Sequence, residues 1–359
     1  MRRNAAAPLL HHTAAQKQAE SDSERLPQDK RAWDRKKTDA VTVAGVYAQA
    51  EDDCLKKHGL NVDRCSEHLI LQTSVNSISG EESRKVLSWK CRERHCPICQ
   101  SARAVKLSRE FEAALPAIME QAKGKEQTAP PVFLFLTLSV KNCPLTELRA
   151  SLAEMGKAWK RLIEQKEFEI VRGWIRGTEV TRGAWIDTRT GKQINKRDLH
   201  KVPAKYRRLK DSDCAHPHFH VLLLVPPSYF GKYYIKRERW VELWQKAVRL
   251  DYTPTGVDIR RVKTAKGGIV EAVKAATYSV KPVELEIDPA WFHEYHWQVS
   301  SLRFLATGGV IKAALGGKAG GEADDIAEGK EPDGVLIDEK VFDFNRPKSV
   351  YLRRRKREG

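Results

Sequence analysis

The chain has 359 residues, enough for two modest domains or one large domain with tails. Lysine and arginine outnumber aspartate and glutamate 64 to 47, a net charge of +17 with a pI near 9.5, which favours a polyanionic partner and puts nucleic acid ahead of a membrane surface. No apolar run approaches the roughly 18 residues that span a bilayer, and no signal-peptide core follows the amino-terminal Met-Arg-Arg-Asn; a cytoplasmic protein is expected, whose seven cysteines are reduced, so that clustered ones call for a metal rather than disulfides.

Residues 1–40 are polar and poor in large apolar side chains, the composition of a disordered basic arm. Residues 41–125 read as a zinc-binding, DNA-contacting module. Cys91, Cys96 and Cys99 form a C-x4-C-x2-C cluster whose short knuckle lets two thiolates reach one tetrahedral zinc ion. On residue type alone Cys65, Cys54, His58, His68 and His95 all compete for the fourth position. Arg92, Arg94 and Arg103 flank the cluster and mark a basic platform for duplex DNA.

Residues 132–140 make a short apolar strand rich in β-formers. The spacing of Leu148, Leu152, Met155, Trp159 and Leu162 predicts an amphipathic helix over 145–165. Core packing accounts for both. Residues 174–181 read as another strand, and Glu179 within it is a carboxylate flanked by apolar residues, costly to bury unless a metal or another partner pairs with it. The connection 182–213 is too long for an ordinary hairpin loop and crowded with basic residues, Arg207 and Arg208 among them. Its charge suits a DNA-contacting flap, with a solvated loop as the competing view.

His218 and His220 then lie two apart on a strand running into Val221, Leu222 and Leu223, so both imidazoles share one face. Neutral imidazole is the commonest ligand for divalent metals, and the pair is expected to bind one. Glu179 is preferred to His216 as third ligand, because His216 is four strand residues, about 13 Å, from His220.

Trp240, Leu243, Trp244, Ala247 and Val248 mark a second amphipathic helix, and residues 256–262 a short strand. Ile269, Val270, Val273 and Val280 space a helix that Pro282 stops. Tyr278 has Lys274 and Lys281 on its own helical face, and these charges favour the phenolate a tyrosine nucleophile needs. Residues 316–333 are rich in Gly, Ala, Asp and Glu, a linker composition. Residues 341–344 read as a last strand within a basic carboxyl-terminal tail.

Pro217-His218-Phe219-His220 with the apolar run behind it resembles the His-hydrophobe-His motif of HUH endonucleases, and in particular that of plasmid rolling-circle replication initiators with a single tyrosine. Cys65, Cys91, Cys96, Cys99 and Gln100 are similar to those initiators' Cys segment, which implies Cys65 as the fourth zinc ligand. Residues 137–142 match their first motif, and 179–181 a Glu-Val-Thr strand. Tyr278 to Lys281 resembles their tyrosine helix. Related enzymes use an acidic or amide residue as third metal ligand, which implies Glu179. Relatives can also carry a glutamate one turn before the tyrosine, proposed to activate water in termination; Lys274 stands there, and Glu271 is the nearest acidic substitute.

The expected architecture is α+β: a central antiparallel sheet with helices packed on one face, as in HUH endonucleases, over residues 126–315, with the zinc module before it and a flexible linker and basic tail over 316–359. The resemblance implies nicking and joining of origin DNA through a 5′-phosphotyrosine, with Mg2+ or Mn2+ at the catalytic site, structural Zn2+, single-stranded or hairpin DNA as substrate, and a host helicase and polymerase as partners. A rolling-circle transposase typically has two tyrosines a turn apart, and a conjugative relaxase has its tyrosine before the histidines. A non-catalytic zinc-dependent DNA-binding regulator would leave Tyr278 idle.

Overall fold

The computed structural model describes residues 24–123, 129–194, 198, 201–262, 288–316 and 334–354. Two helices open it, α1 (Ala32–Ala48) and α2 (Asp53–Arg64). Asp52 caps α2 by accepting from the backbone N–H groups of Cys54 and Leu55 at 2.7 and 3.2 Å. The hairpin β1 (His68–Val75) and β2 (Glu82–Leu87) follows, and then the long helix α3 (Pro97–Ala122), with Pro97 at its first position, where no hydrogen bond is lost.

The larger sheet contains β3 (Val132–Ser139), the short β4 (Cys143–Pro144), β5 (Gly173–Asp187), β6 (Arg207–Val225), β7 (Asp258–Arg261) and β8 (Leu305–Gly308). Its order is β7-β3-β6-β5-β8, with β4 paired to β6, and every pairing is antiparallel. The strand carrying the histidines is thus central, flanked by the two elements in which the sequence places an apolar strand and Glu179.

Alternation divides the sheet's side chains between two layers. Phe219, Val221 and Leu223 of β6 pack with Leu134 and Leu136 of β3 against α4 (Leu148–Ile163), α5 (Arg237–Val248) and α6 (Pro289–Val299). Leu222 and Leu224 face the other way with Phe133 and Phe135, beneath Phe111 and Ile118 of α3 and Ile311 of α7 (Gly309–Ala314). The α+β class and antiparallel sheet are as expected, and helical cover extends to the second face as well. Each such fully buried aliphatic side chain stabilises the fold by about 1.5–3 kcal/mol.

The described residues of the expected arm and of the expected tail are more ordered than their composition implies. The expected arm 1–40 is helical from Ala32, and Leu26 is buried. Within the expected tail 316–359, β9 (Val335–Asn345) and β10 (Val350–Arg353) return to pair in the order β10-β9-β1-β2. Phe342, Phe344 and Tyr351 close a core over Leu69 and Leu71. Asp34 of α1 ties it to the carboxyl-terminal strands by accepting from the Tyr351 backbone N–H at 2.8 Å. The fully buried Lys37 anchors the same helix to the segment before β1: its ammonium donates to the carbonyl of Cys65 at 2.9 Å and pairs with Glu67 at 2.8 Å. Such a charge is tolerated inside only because it is paired and hydrogen-bonded.

The insert 182–213 is strand at both of its ends, 182–187 and 207–213. Beyond an irregularity at Gly183, β5 and β6 continue as a ribbon pairing Ala184 to Asp187 with Lys210 to Arg207. Gly183 has φ +30, and a Cβ there would lie 2.3 Å from the carbonyl oxygen of Lys210. Nor does the expected boundary at residue 125 divide the core, since Val43, Tyr47, Cys65 and Cys96 join the same apolar cluster as Leu134, Leu136, Phe292 and Tyr295.

Candidate metal centres

Glu179 on β5 pairs in register with His218 on β6, and His220 pairs with Gly177. The two imidazoles and the carboxylate therefore share one face, and Gly177 presents no side chain beside His220. Glu179 Oε2 lies 2.8 Å from His220 Nε2 and 3.2 Å from His218 Nε2. Ligands about 2.1 Å from one divalent ion, at right angles, stand about 3 Å apart, so the donor set fits such an ion. All three ligand atoms lie within 4.8 Å of one another. Burial pushes the Glu179 carboxyl up, but hydrogen bonds and charge from the two histidines outweigh it and hold the group well below the usual carboxylate range.

The other ring nitrogens are held as well. His218 Nδ1 is 3.2 Å from the carbonyl oxygen of His216, and an N–H donated there leaves the Nε2 lone pair for an ion. Thr137 of β3, directly opposite His220, places its hydroxyl 3.3 Å from His220 Nδ1. His216, the alternative third ligand, lies apart from the group and bonds through Nδ1 to the Asn142 side-chain oxygen at 2.8 Å. Sequence reasoning assigned residues 137–142 to packing and missed these supports. The signal was there: Thr137 and Asn142 stand at the two ends of a motif that the resemblance had already marked.

The second centre is built around the start of α3. Cys96 precedes the helix and Cys99 lies in its first turn, which puts both sulfurs on one side. Cys65 follows α2, and Cys91 arrives from the segment after β2. Cys65 and Cys91 each place Sγ 3.7 Å from Cys99 Sγ, and all four sulfurs lie within 4.8 Å of one another. Four thiolates about 2.3 Å from a tetrahedral ion would stand about 3.8 Å apart, so these residues fit such a group. The four cannot all ionise without a cation: hydrogen bonding from Cys91 pulls the Cys65 thiol far down, while burial pushes that of Cys96 up.

The competing residues lie outside this group. His58 pairs with Glu93 at 2.7 Å, His68 with Asp343 at 2.7 Å, and Cys54 is exposed. His95 is buried among Phe292, Tyr295 and His296, and burial holds its pKa well below the usual range.

Of the arginines expected to touch DNA, Arg92 and Arg208 are exposed. Three others brace the fold. Arg94 donates to the Leu302 carbonyl at 2.6 Å and lies over the Phe304 ring, Arg103 donates to the carbonyls of Arg92 and Glu93, and Arg207 to that of Val202. Tyr278, Lys274, Lys281 and Glu271 lie outside the described residues. No helix among the described residues is long and apolar enough to cross a membrane.

Residues 83–351 match the Replication protein family. A Protein rep of Streptococcus pneumoniae serotype 2 is 32% identical over 207 residues, which cover 56% of this chain and 54% of that protein. One of Bacillus amyloliquefaciens is 32% identical over 241 residues, covering 65% and 60%. One of Lactiplantibacillus plantarum is 28% identical over 297 residues, covering 79% and 80%. The chain thus spans little more than half the length of the first two relatives. No solved structure matches it. With that family match running from within β2 to the last strand, through both candidate metal centres except Cys65, the chain belongs to the Replication protein family.

Proposed function

We propose that this chain initiates rolling-circle replication of a plasmid by nicking one strand at the origin and later rejoining it. The observation that carries the reading is the Glu179 carboxylate set against two imidazole nitrogens on adjacent central strands, at 2.8 and 3.2 Å, in a member of the Replication protein family. His218, His220 and Glu179 would hold Mg2+ or Mn2+, which when bound supplies polarisation of the scissile phosphate and neutralisation of its charge. Cys65, Cys91, Cys96 and Cys99 would hold a structural Zn2+.

The tyrosine at 278 attacks the phosphorus in line. Its Oη–P bond forms as the bond to the 3′ oxygen breaks, which leaves a 5′-phosphotyrosine and a 3′-OH for a polymerase to extend. Lys274 and Lys281, on its helical face by spacing, favour the phenolate. The phosphotyrosine keeps the energy of the phosphodiester, so rejoining by a 3′-OH needs no ATP. Glu271 takes the water-activating role in termination. Duplex contacts fall to Arg92 and Arg208, whose side chains are exposed, while Arg94, Arg103 and Arg207 shape the surfaces around them. A host helicase and polymerase complete the reaction in the cytoplasm.

The test mixes the protein with supercoiled plasmid carrying its neighbouring DNA and Mn2+ or Mg2+, and resolves the products on a denaturing gel. A protein–DNA adduct that Tyr278→Phe and EDTA both abolish is the expected result. DNA binding without nicking under either metal would overturn it in favour of a non-catalytic regulator.

A further inference from the structure

One exposed, charged and aromatic surface is used by neither metal centre. It begins at the histidines and crosses the edge of the sheet. Phe135 of β3 lies on the histidine face, its ring centroid 5.3 Å from that of His220. On the edge strand β7, Arg260 pairs in register with Phe135 and sets its guanidinium 5.2 Å from that ring. By strand geometry Arg260 and His220 are about 12 Å apart at Cα, within reach of a long side chain and a short length of DNA backbone.

The next residue, Arg261, points to the opposite face because side chains alternate. Its guanidinium lies 5.3 Å from the ring of Phe230, in the short turn after β6. Beyond it, Tyr233 and Tyr234 are 46% and 56% exposed, more than packing alone would leave two adjacent aromatic rings. Lys232 stands 5.5 Å from the Tyr233 ring.

We infer that β7 and this turn form a track for a single DNA strand, with Arg260 and Arg261 holding phosphates and Phe230, Tyr233 and Tyr234 stacking bases. The inference rests on the nicking function proposed above and adds where the strand beside the cut leaves the site. Exposed aromatic faces interleaved with cations are the chemistry that holds unpaired bases without reading their sequence. Duplex DNA keeps its bases stacked inside and offers these rings nothing. A protein partner would use the rings without needing two arginines, one on each side of an edge strand.

The probe is fluorescein-labelled oligo-dT of about 20 nucleotides, followed by fluorescence anisotropy in EDTA so that no cleavage intervenes. Tyr233→Ala with Tyr234→Ala is expected to weaken oligo-dT binding about 10- to 100-fold, and Tyr233→Phe with Tyr234→Phe to keep it, since phenyl rings still stack. Arg260→Ala with Arg261→Ala lowers the salt dependence of binding. Affinity for a duplex of equal length stays unchanged in the tyrosine variants. Unchanged oligo-dT affinity in the alanine pair, or an equal loss on duplex, overturns the inference. Absence of nicking by the unmodified protein would sink the proposed function and leave this binding result standing. Normal nicking with normal oligo-dT binding by the alanine pair would sink only the track.

Discussion

Replacing Thr137 with valine isolates a single support of the histidine centre. The two side chains are nearly isosteric and both favour strands, so β3 keeps its pairing with β6 and only the hydroxyl is lost. That hydroxyl stands 3.3 Å from His220 Nδ1, a long hydrogen bond. With it gone, the imidazole loses the hydrogen bond that helps hold its ring with Nε2 toward Glu179. A neutral hydrogen bond contributes about 0.5–1.5 kcal/mol, and loss of a ligand's outer partner typically lowers metal affinity by a factor of about 10 or more. We expect Mn2+ affinity, measured by calorimetric titration of the zinc-loaded protein, to fall about tenfold in Thr137→Val, equivalent to about 1.4 kcal/mol. Thr137→Ser, which keeps the hydroxyl, should bind within a factor of about two of the original. Equal Mn2+ affinity in the valine variant would refute the reasoning.

At Glu179 the change to glutamine removes the charge and keeps the shape, and should weaken Mn2+ binding about 100-fold or more in the same titration while the melting temperature holds. Cys96→Ser should abolish the zinc content measured by atomic emission and lower the melting temperature by about 10 °C or more, since the knuckle holds the start of α3. A pH effect follows from His296, buried in α6 and bonded through Nδ1 to the Tyr47 hydroxyl at 2.9 Å. Burial first, then the nearby His58, lower its pKa from the usual 6.5 to about 4. The unfolded chain therefore takes up this proton first, so the stabilisation is complete above pH about 6.5 and is lost as pH falls toward 4. His296→Gln should flatten the fall of melting temperature across that window; an unchanged slope would count against it.

What the sequence made legible was local. The two histidines announce themselves because strand alternation alone puts them on one face, and the C-x2-C knuckle because a helix start brings its sulfurs together. Glu179 was readable only as an anomaly, a carboxylate in an apolar strand, and the register with His218 supplies its reason. The ends of the chain were misread for a physical cause. Within the expected arm, helix α1 buries Asp34, Lys37 and Ala40, polar or small residues whose composition resembles a solvated tail. Strand β9 pairs with β1, more than 250 residues earlier, a pairing to which no local pattern points, and β10 pairs in turn with β9. Thr137 passed as a β-former on an apolar strand, because its role depends on what lies across the ladder.

The continuity of the core decides how experiments on the cysteine centre are to be interpreted. Cys65, Cys96 and Cys99 pack in the same cluster as Leu134, Leu136 and Val221, the strands that carry Thr137 and His220. Arg94, from the loop between Cys91 and Cys96, donates to the carbonyl of Leu302, just before β8. Release of a metal held by these cysteines would therefore loosen the central sheet as well as the surface beside them. A cysteine variant that neither binds nor nicks DNA would thus say nothing about whether the zinc module touches DNA. Arg92 separates the two effects, because its side chain is exposed and only its backbone carbonyl is used in bracing. If the module contacts phosphates, Arg92→Ala lowers the salt slope of duplex binding by about one unit while zinc content and melting temperature stay fixed. If the slope is unchanged, the role of the cysteine centre is to hold the core.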